Sequence, residues 1–136
     1  MKTFILDSSA VLRFTDDEVG ADRVAEILGD CSVLKNECRI SALQWGEVVG
    51  KLHKRLGIPK QQEITQSLRR TELSIVSIDA QRAERAAAIR VDYKLGSADS
   101  YAAELTLDSP ESVLVTADYD FKLVENLIRI EFLPAK

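Results

Sequence analysis

Short apolar runs alternate with amphipathic stretches along this chain, and that alternation leaves few folds open. Residues 3–7 predict a first buried strand, carried by Phe4-Ile5-Leu6. A helix begins at Ser8 and reaches Phe14, and Asp16-Asp17-Glu18 marks a polar break. Val19 to Leu28 predicts a helix with Val24, Ile27 and Leu28 on one face, and Gly29 is its expected stop. Residues 38–41 predict a second strand. Ala42 to Leu56 follows as an amphipathic helix with a stripe of Trp45, Val48, Val49, Leu52 and Leu56, ended by Gly57 and Pro59. Lys60 to Glu72 is the next helix, with Ile64 and Leu68 inward, and Leu73 to Ile78 the third strand. Asp79 caps a helix running to about Tyr93, and Ser97 caps another to about Leu107. A turn at Asp108-Ser109-Pro110, a strand over Val113 to Thr116, a short helix over Asp120 to Asn126 and a strand over Ile128 to Phe132 complete the series. Strands alternating with helices imply a parallel sheet covered on both faces, with right-handed connections.

The chain's 136 residues suit one domain with a core of its own, expected to span residues 1–136. At 46% hydrophobic and 29% charged residues, the composition argues against disorder. No apolar run approaches the roughly 18 residues that would span a bilayer. Met1-Lys2-Thr3 leads straight into the first strand without a signal-like segment, so the expected location is cytoplasmic. Cys31 and Cys38 match no zinc-binding spacing and are expected to be reduced structural thiols. A net charge of −4 argues against a strongly cationic nucleic-acid binder. It leaves room for a metal-dependent nuclease, whose carboxylates add negative charge that bound metal offsets. Lys51, Lys54 and Arg55 share one helix face by their spacing, either as a solvated surface or as contacts to phosphate.

Four acids command attention: Asp7, Glu47, Asp99 and Asp118. Asp7 and Asp118 each follow an apolar strand, Asp99 opens a helix, and Glu47 sits on the helix after the second strand. In open α/β sheets, ligands collect outside the carboxyl ends of the strands. Carboxylates crowded there repel one another unless protons or a cation neutralise them. A cluster lacking His or Cys suits a hard cation such as Mg²⁺ or Mn²⁺. Each acid also has an ordinary role. Asp7, Asp79, Asp99 and Asp118 stand at helix starts, where Asp caps free amides. Glu47 lies off the apolar stripe, although Gly46 and Gly50 beside it leave that face open to close approach. Spacing alone does not separate Asp79 from Asp99.

The segments around the four acids resemble PIN domains, and among them the VapC-like ribonuclease toxins of toxin–antitoxin pairs. Phe4-Ile5-Leu6-Asp7-Ser8-Ser9-Ala10-Val11-Leu12 resembles the first strand and acid of that family. Ile40-Ser41-Ala42-Leu43-Gln44-Trp45-Gly46-Glu47-Val48 resembles the segment bearing its Glu. Leu95-Gly96-Ser97-Ala98-Asp99-Ser100-Tyr101-Ala102-Ala103 resembles the third motif, and Leu114-Val115-Thr116-Ala117-Asp118-Tyr119-Asp120-Phe121 the fourth. Ser100 departs from the small apolar residue more usual at its position, and Arg13 has no place in the match.

The resemblance implies a three-layer α/β sandwich with a central parallel sheet of about four to five strands. It implies hydrolysis of RNA phosphodiesters with Mg²⁺ or Mn²⁺ as cofactor. Asp7 and Asp99 are the implied direct metal ligands, with Asp118 a further ligand, direct or through water. Glu47 completes the site by orienting water or acting as its base. Ser9 and Thr116 support the carboxylates, and Asp120 is either peripheral to the site or a cap. Asp79 is left as a helix cap, and the lone His53 lies away from every motif. The implied partners are the RNA substrate, a cognate antitoxin offering a basic segment, and a second copy in a homodimer. Trp45, Leu52, Leu56, Ile64 and Leu68 are the apolar side chains expected to serve the dimer. Two other readings compete: a PIN-like module that binds RNA or protein without cutting, and a phosphotransfer domain using Asp7. Against the latter, Ser9 stands where the dehalogenase pattern wants a second Asp.

Overall fold

The computed structural model describes residues 1–136. Strands β1 (Thr3–Leu6), β2 (Glu37–Ser41), β3 (Ser74–Val76), β4 (Ser112–Thr116) and β5 (Ile130–Phe132) form one sheet in the order β3-β2-β1-β4-β5. Every pairing is parallel. The helices are α1 (Ser8–Thr15), α2 (Ala21–Ser32), α3 (Ala42–Leu56), α4 (Ile58–Arg69), α5 (Ala80–Tyr93) and α6 (Ser97–Thr106), with a 3-10 helix at Tyr119–Val124. The fold is the expected three-layer sandwich, with five strands.

Successive strand residues face opposite layers, which is why β1 is an unbroken apolar run. Phe4 and Leu6 enter a core with Val24, Ile27, Val48 and Leu52, whereas Ile5 enters a second core with Ala102, Leu105 and Phe121. In β4, Val115 joins the first core and Leu114 the second. β1 lies between β2 and β4, so the chain switches direction of sheet growth beside β1. Such a switch opens a crevice at the carboxyl ends of the two strands. Asp7 leaves β1 there, and Asp118 follows β4.

Several boundaries differ from the sequence expectation for identifiable reasons. Gly29 does not end α2, because the buried stripe of Val24, Ile27 and Leu28 continues to Cys31 and Gly29 itself is on the exposed side. The second long helix pair divides at Gly57, whose φ of 84° suits glycine, and α4 starts at Ile58 with Pro59 in its first turn. Gly96, not Ser97, is the cap of α6. Leu56 is 44% exposed and leaves the α3 stripe. Of the other apolar side chains expected at a dimer surface, Trp45, Leu52 and Leu68 are buried in the chain's own core, and Ile64 packs against it. Arg13 has a structural place: it donates to the carbonyls of Val19 at 2.7 Å and Pro134 at 3.0 Å, tying α1 to the C-terminal tail. No helix is long and apolar enough to cross a membrane.

A buried ion-pair network binds α5 to α6. Glu104 is 2% exposed and accepts from Arg82 Nη1 at 3.0 and 3.1 Å and from Arg85 Nε at 3.0 Å. Arg82 Nη2 also meets Asp108 Oδ2 at 2.6 Å. Removing Arg82 leaves the buried Glu104 with only the half-exposed Arg85 and deprives Asp108 of its cation. Arg82→Ala should therefore lower unfolding free energy by about 3 kcal/mol. Removing the exposed Lys60–Glu63 pair through Lys60→Ala should cost under about 1 kcal/mol. Urea denaturation of the two variants measures both.

Candidate active site

Asp7 caps α1, and both oxygens of its carboxylate are engaged. Oδ1 accepts the Ala10 N–H at 2.9 Å and the Ser9 hydroxyl at 2.7 Å, while Oδ2 accepts the Thr116 hydroxyl at 2.6 Å. Each hydroxyl has a single proton. Ser9 Oγ accepts the Ala117 N–H and Thr116 Oγ1 accepts the Asp118 N–H, both at 2.9 Å. These backbone donors occupy lone pairs, so both hydroxyls turn their protons to Asp7. The Ser9–Thr116 oxygen contact of 3.2 Å is then left without a proton of its own. Asp7 is 2% exposed. Burial pushes its pKa up to about 6, against the pull of its three hydrogen bonds, and Asp99 adds a smaller upward push.

Asp99 lies in the first turn of α6 and is half-buried, but it caps nothing. Burial is the main reason its pKa rises to about 6. The negative charge of Asp118 comes next, Gln44 opposes it by hydrogen bonding, and Glu47 and Asp120 push upward. Glu47 is half-buried on α3 and accepts the Ser8 hydroxyl at 3.3 Å. Asp118 caps the 3-10 helix, accepting the Asp120 N–H at 2.9 Å, and Asp120 is exposed. The structure thus brings Asp7, Glu47, Asp99 and Asp118 within electrostatic reach around the end of β1, with Asp120 at the rim.

The other expected residues lie elsewhere. Asp79 caps α5 by accepting the Arg82 N–H at 2.9 Å and touches none of the four acids. Lys51, Lys54 and Arg55 are exposed on the last turns of α3, and Arg55 is paired with Asp16 Oδ1 at 2.6 Å. His53 is exposed on the same helix. Cys31 and Cys38 are free buried thiols, and Cys38's pKa is driven far up by burial and by Cys31 beside it.

Sequence reasoning passed over Gln44 and Ser8. Gln44 is fully buried, and its amide links Ser8 to Ala98 and Asp99. The signal was present: Gln44 stands one turn before Val48, on the stripe where α3 is otherwise apolar. Ser8 carried no comparable signal, since its role depends on α3 packing across it.

No three His, Cys, Asp or Glu side chains stand close enough to enclose an ion as they are placed. The donor set nevertheless fits a hard cation. It is all oxygen, two of its carboxylates are held high in pKa, and Asp99 faces three other acids. Asp99 Oδ2 takes part in no hydrogen bond and is free to accept a cation. Rotation of the carboxylates toward a shared ion would relieve their repulsion.

Comparison with known proteins agrees with the fold. The family model for the PIN domain matches residues 4–127. No curated protein sequence matches the chain. Among solved structures, DNA-bound VapBC from Salmonella typhimurium is similar at a TM-score of 0.73 and 20% identity, over 97% of this chain and 98% of that one. A toxin–antitoxin complex from Klebsiella pneumoniae gives 0.74 and 19%, over 97% and 98%. FitAcB from Neisseria gonorrhoeae gives 0.68 and 18%, over 93% and 95%.

The raised pKa of Asp7 has a definite pH signature. Its ordinary value is 3.8 and its folded value about 6, so the folded protein binds the proton more tightly than the unfolded chain. The contribution is fully present below pH 3.8 and is lost as pH rises through about 6. The loss amounts to about 3 kcal/mol. In chelator-treated buffer, Asp7→Asn should gain that much stability relative to wild type between pH 4 and pH 7. A stability difference that does not change with pH, by urea denaturation, would remove the shift.

Proposed function

This chain belongs to the PIN domain family, and on that premise we propose that it is a metal-dependent endoribonuclease. We further propose that it is the toxin of a toxin–antitoxin pair and acts in the cytoplasm as one PIN domain over residues 1–136. The observation that carries the reading is the convergence of four acids at the sheet's switch point, with Asp7 and Asp99 both raised to about 6. Structural caps alone do not need such crowding, and Asp99 caps no helix.

Asp7 and Asp99 would hold Mg²⁺ or Mn²⁺ directly, and Asp118 would join them directly or through water. A divalent ion held there would lower the pKa of water and stabilise negative charge building on the phosphate. The protein's own groups divide the remaining work. Ser9 and Thr116 hold Asp7 by donating to both its oxygens, which fixes where Oδ2 presents its remaining lone pair. Glu47 has Oε1 engaged by Ser8, leaving Oε2 to take a proton from the attacking water. Attack on phosphorus forms one P–O bond and breaks the bond to the leaving ribose oxygen, which gains a proton from solvent. Asp120 would add negative potential at the rim.

Lys51 and Lys54 lie one and two turns beyond Glu47 along α3, roughly 6 and 10 Å away at about 1.5 Å per residue. That spacing suits phosphates flanking the scissile one. Arg55 is less available, because it already pairs with Asp16. The similar complexes support an antitoxin as partner. A basic antitoxin side chain could replace the cation among the acids. A homodimer remains part of the proposal, with exposed Leu56 and Ile58 as its apolar contribution.

Adding Mn²⁺ to chelated protein should raise the melting temperature, because a ligand bound only to the folded state stabilises it. Asp99→Asn should melt higher than wild type without metal and lose the response. RNA cleavage should also be lost in Asp99→Asn, whereas a binding module would show no cleavage even in wild type. A metal response undiminished in the variant would take Asp99 out of the ligand set. Separately, Lys51→Glu with Lys54→Glu should weaken RNA binding and reduce the slope of affinity against salt by up to about 2, one for each lost phosphate contact. An unchanged slope at low salt would mean the face is merely solvated.

A further inference from the structure

Gln44 has no exposed surface, although it carries two polar atoms and stands on the buried face of α3. A buried carboxamide is costly unless its donors and acceptor are used. Here they are. Oε1 accepts the Ser8 N–H at 2.7 Å, and Nε2 donates to the Ala98 carbonyl at 2.9 Å. The same nitrogen reaches Asp99 Oδ1 at 3.4 Å. The amide cannot be turned over, since its NH₂ would then oppose the Ser8 N–H.

These partners are the start of α1, one residue after Asp7, and the first turn of α6, which carries Asp99. One side chain therefore spans the two helix starts that present the acids. Glu47 is on the same helix as Gln44, one turn on, and is joined to the same Ser8 through its hydroxyl. With Oδ1 of Asp99 facing Gln44, Oδ2 takes part in no hydrogen bond and lies near Gly96, 3.5 Å from where a Cβ there would sit.

We propose that Gln44 is a positioning residue that holds Asp99 in register with Asp7 and leaves Asp99 Oδ2 facing a divalent cation. This rests on the metal-site reading above. Gln44 itself does not touch the cation. Its effect is the fixed spacing and rotation of two carboxylates that otherwise repel each other. A shorter amide lacks the reach to hold both ends, and an apolar side chain of the same length leaves the Ser8 N–H unpaired and removes the tie to α6, whose Ala98 carbonyl keeps only its place in the helix.

The test is Mn²⁺ affinity, measured by titration calorimetry on chelator-treated, folded protein. Gln44→Met and Gln44→Asn should each weaken Mn²⁺ binding by about 10- to 100-fold. Thr106→Val is the control. Thr106 is buried on α6, and its hydroxyl bonds only the Ala102 carbonyl at 2.8 Å. This variant should lose stability and keep wild-type Mn²⁺ affinity. Equal affinity in the Gln44 variants and wild type would leave Gln44 a packing tie and overturn the proposal. If both Gln44 variants fail to fold, the wild-type protein still decides. The Gln44 side-chain amide resonance should shift on Mg²⁺ titration with the same saturation curve as the Asp99 backbone amide, and an unmoved resonance overturns the proposal. Absence of Mn²⁺ binding in wild type is a different result, because it overturns the metal-site reading itself along with this one.

Discussion

The 2.6 Å hydrogen bond from Thr116 to Asp7 joins the carboxyl ends of the two central strands, and the arrangement of the crevice depends on it. Thr116 can donate there because its oxygen already receives the Asp118 N–H. The turn after β4 thus orients the hydroxyl that holds the acid after β1. Ser9 repeats the arrangement in the other direction, donating to Asp7 and receiving the Ala117 N–H. Neither strand end could shift without leaving a buried polar group unpaired, which costs about 1–3 kcal/mol.

Order at Asp7 contrasts with electrostatic tension at Asp99. Three hydrogen bonds stabilise the Asp7 carboxylate, yet burial still wins and raises its pKa. Asp99 has fewer donors and more negative neighbours. Two acids poised near pH 6 by burial and crowding are a common mark of a functional site. The contrast with Glu104 is instructive. Glu104 is as buried as Asp7, but two arginines surround it, so it is a structural anion with its charge already balanced. The acids of the crevice have no cation of the protein's own among them.

Much of this was legible in the sequence. Unbroken apolar strands and alternating helices gave the parallel sandwich because every residue of β1 is buried on one face or the other. Asp7 and Asp118 were visible because each follows such a strand. Asp99 was not separable from Asp79 by spacing, since both stand near helix starts after apolar segments. The structure separates them through sheet order: Asp79 follows edge strand β3, whereas α6 packs over β1 and β4. Gln44 was missed although its polarity on an apolar stripe was a usable sign. The helix-ending role assigned to Gly29 failed because an exposed glycine is a weak stop when the buried stripe continues beyond it.

The most direct measurement is sequencing of cellular RNA ends after a brief pulse of expression, with Asp7→Asn expressed in parallel. The proposed reading expects new ends at defined positions in wild type and none of them in the variant. If wild type and Asp7→Asn give the same RNA ends, the crevice does not cut RNA, and its four acids require another explanation.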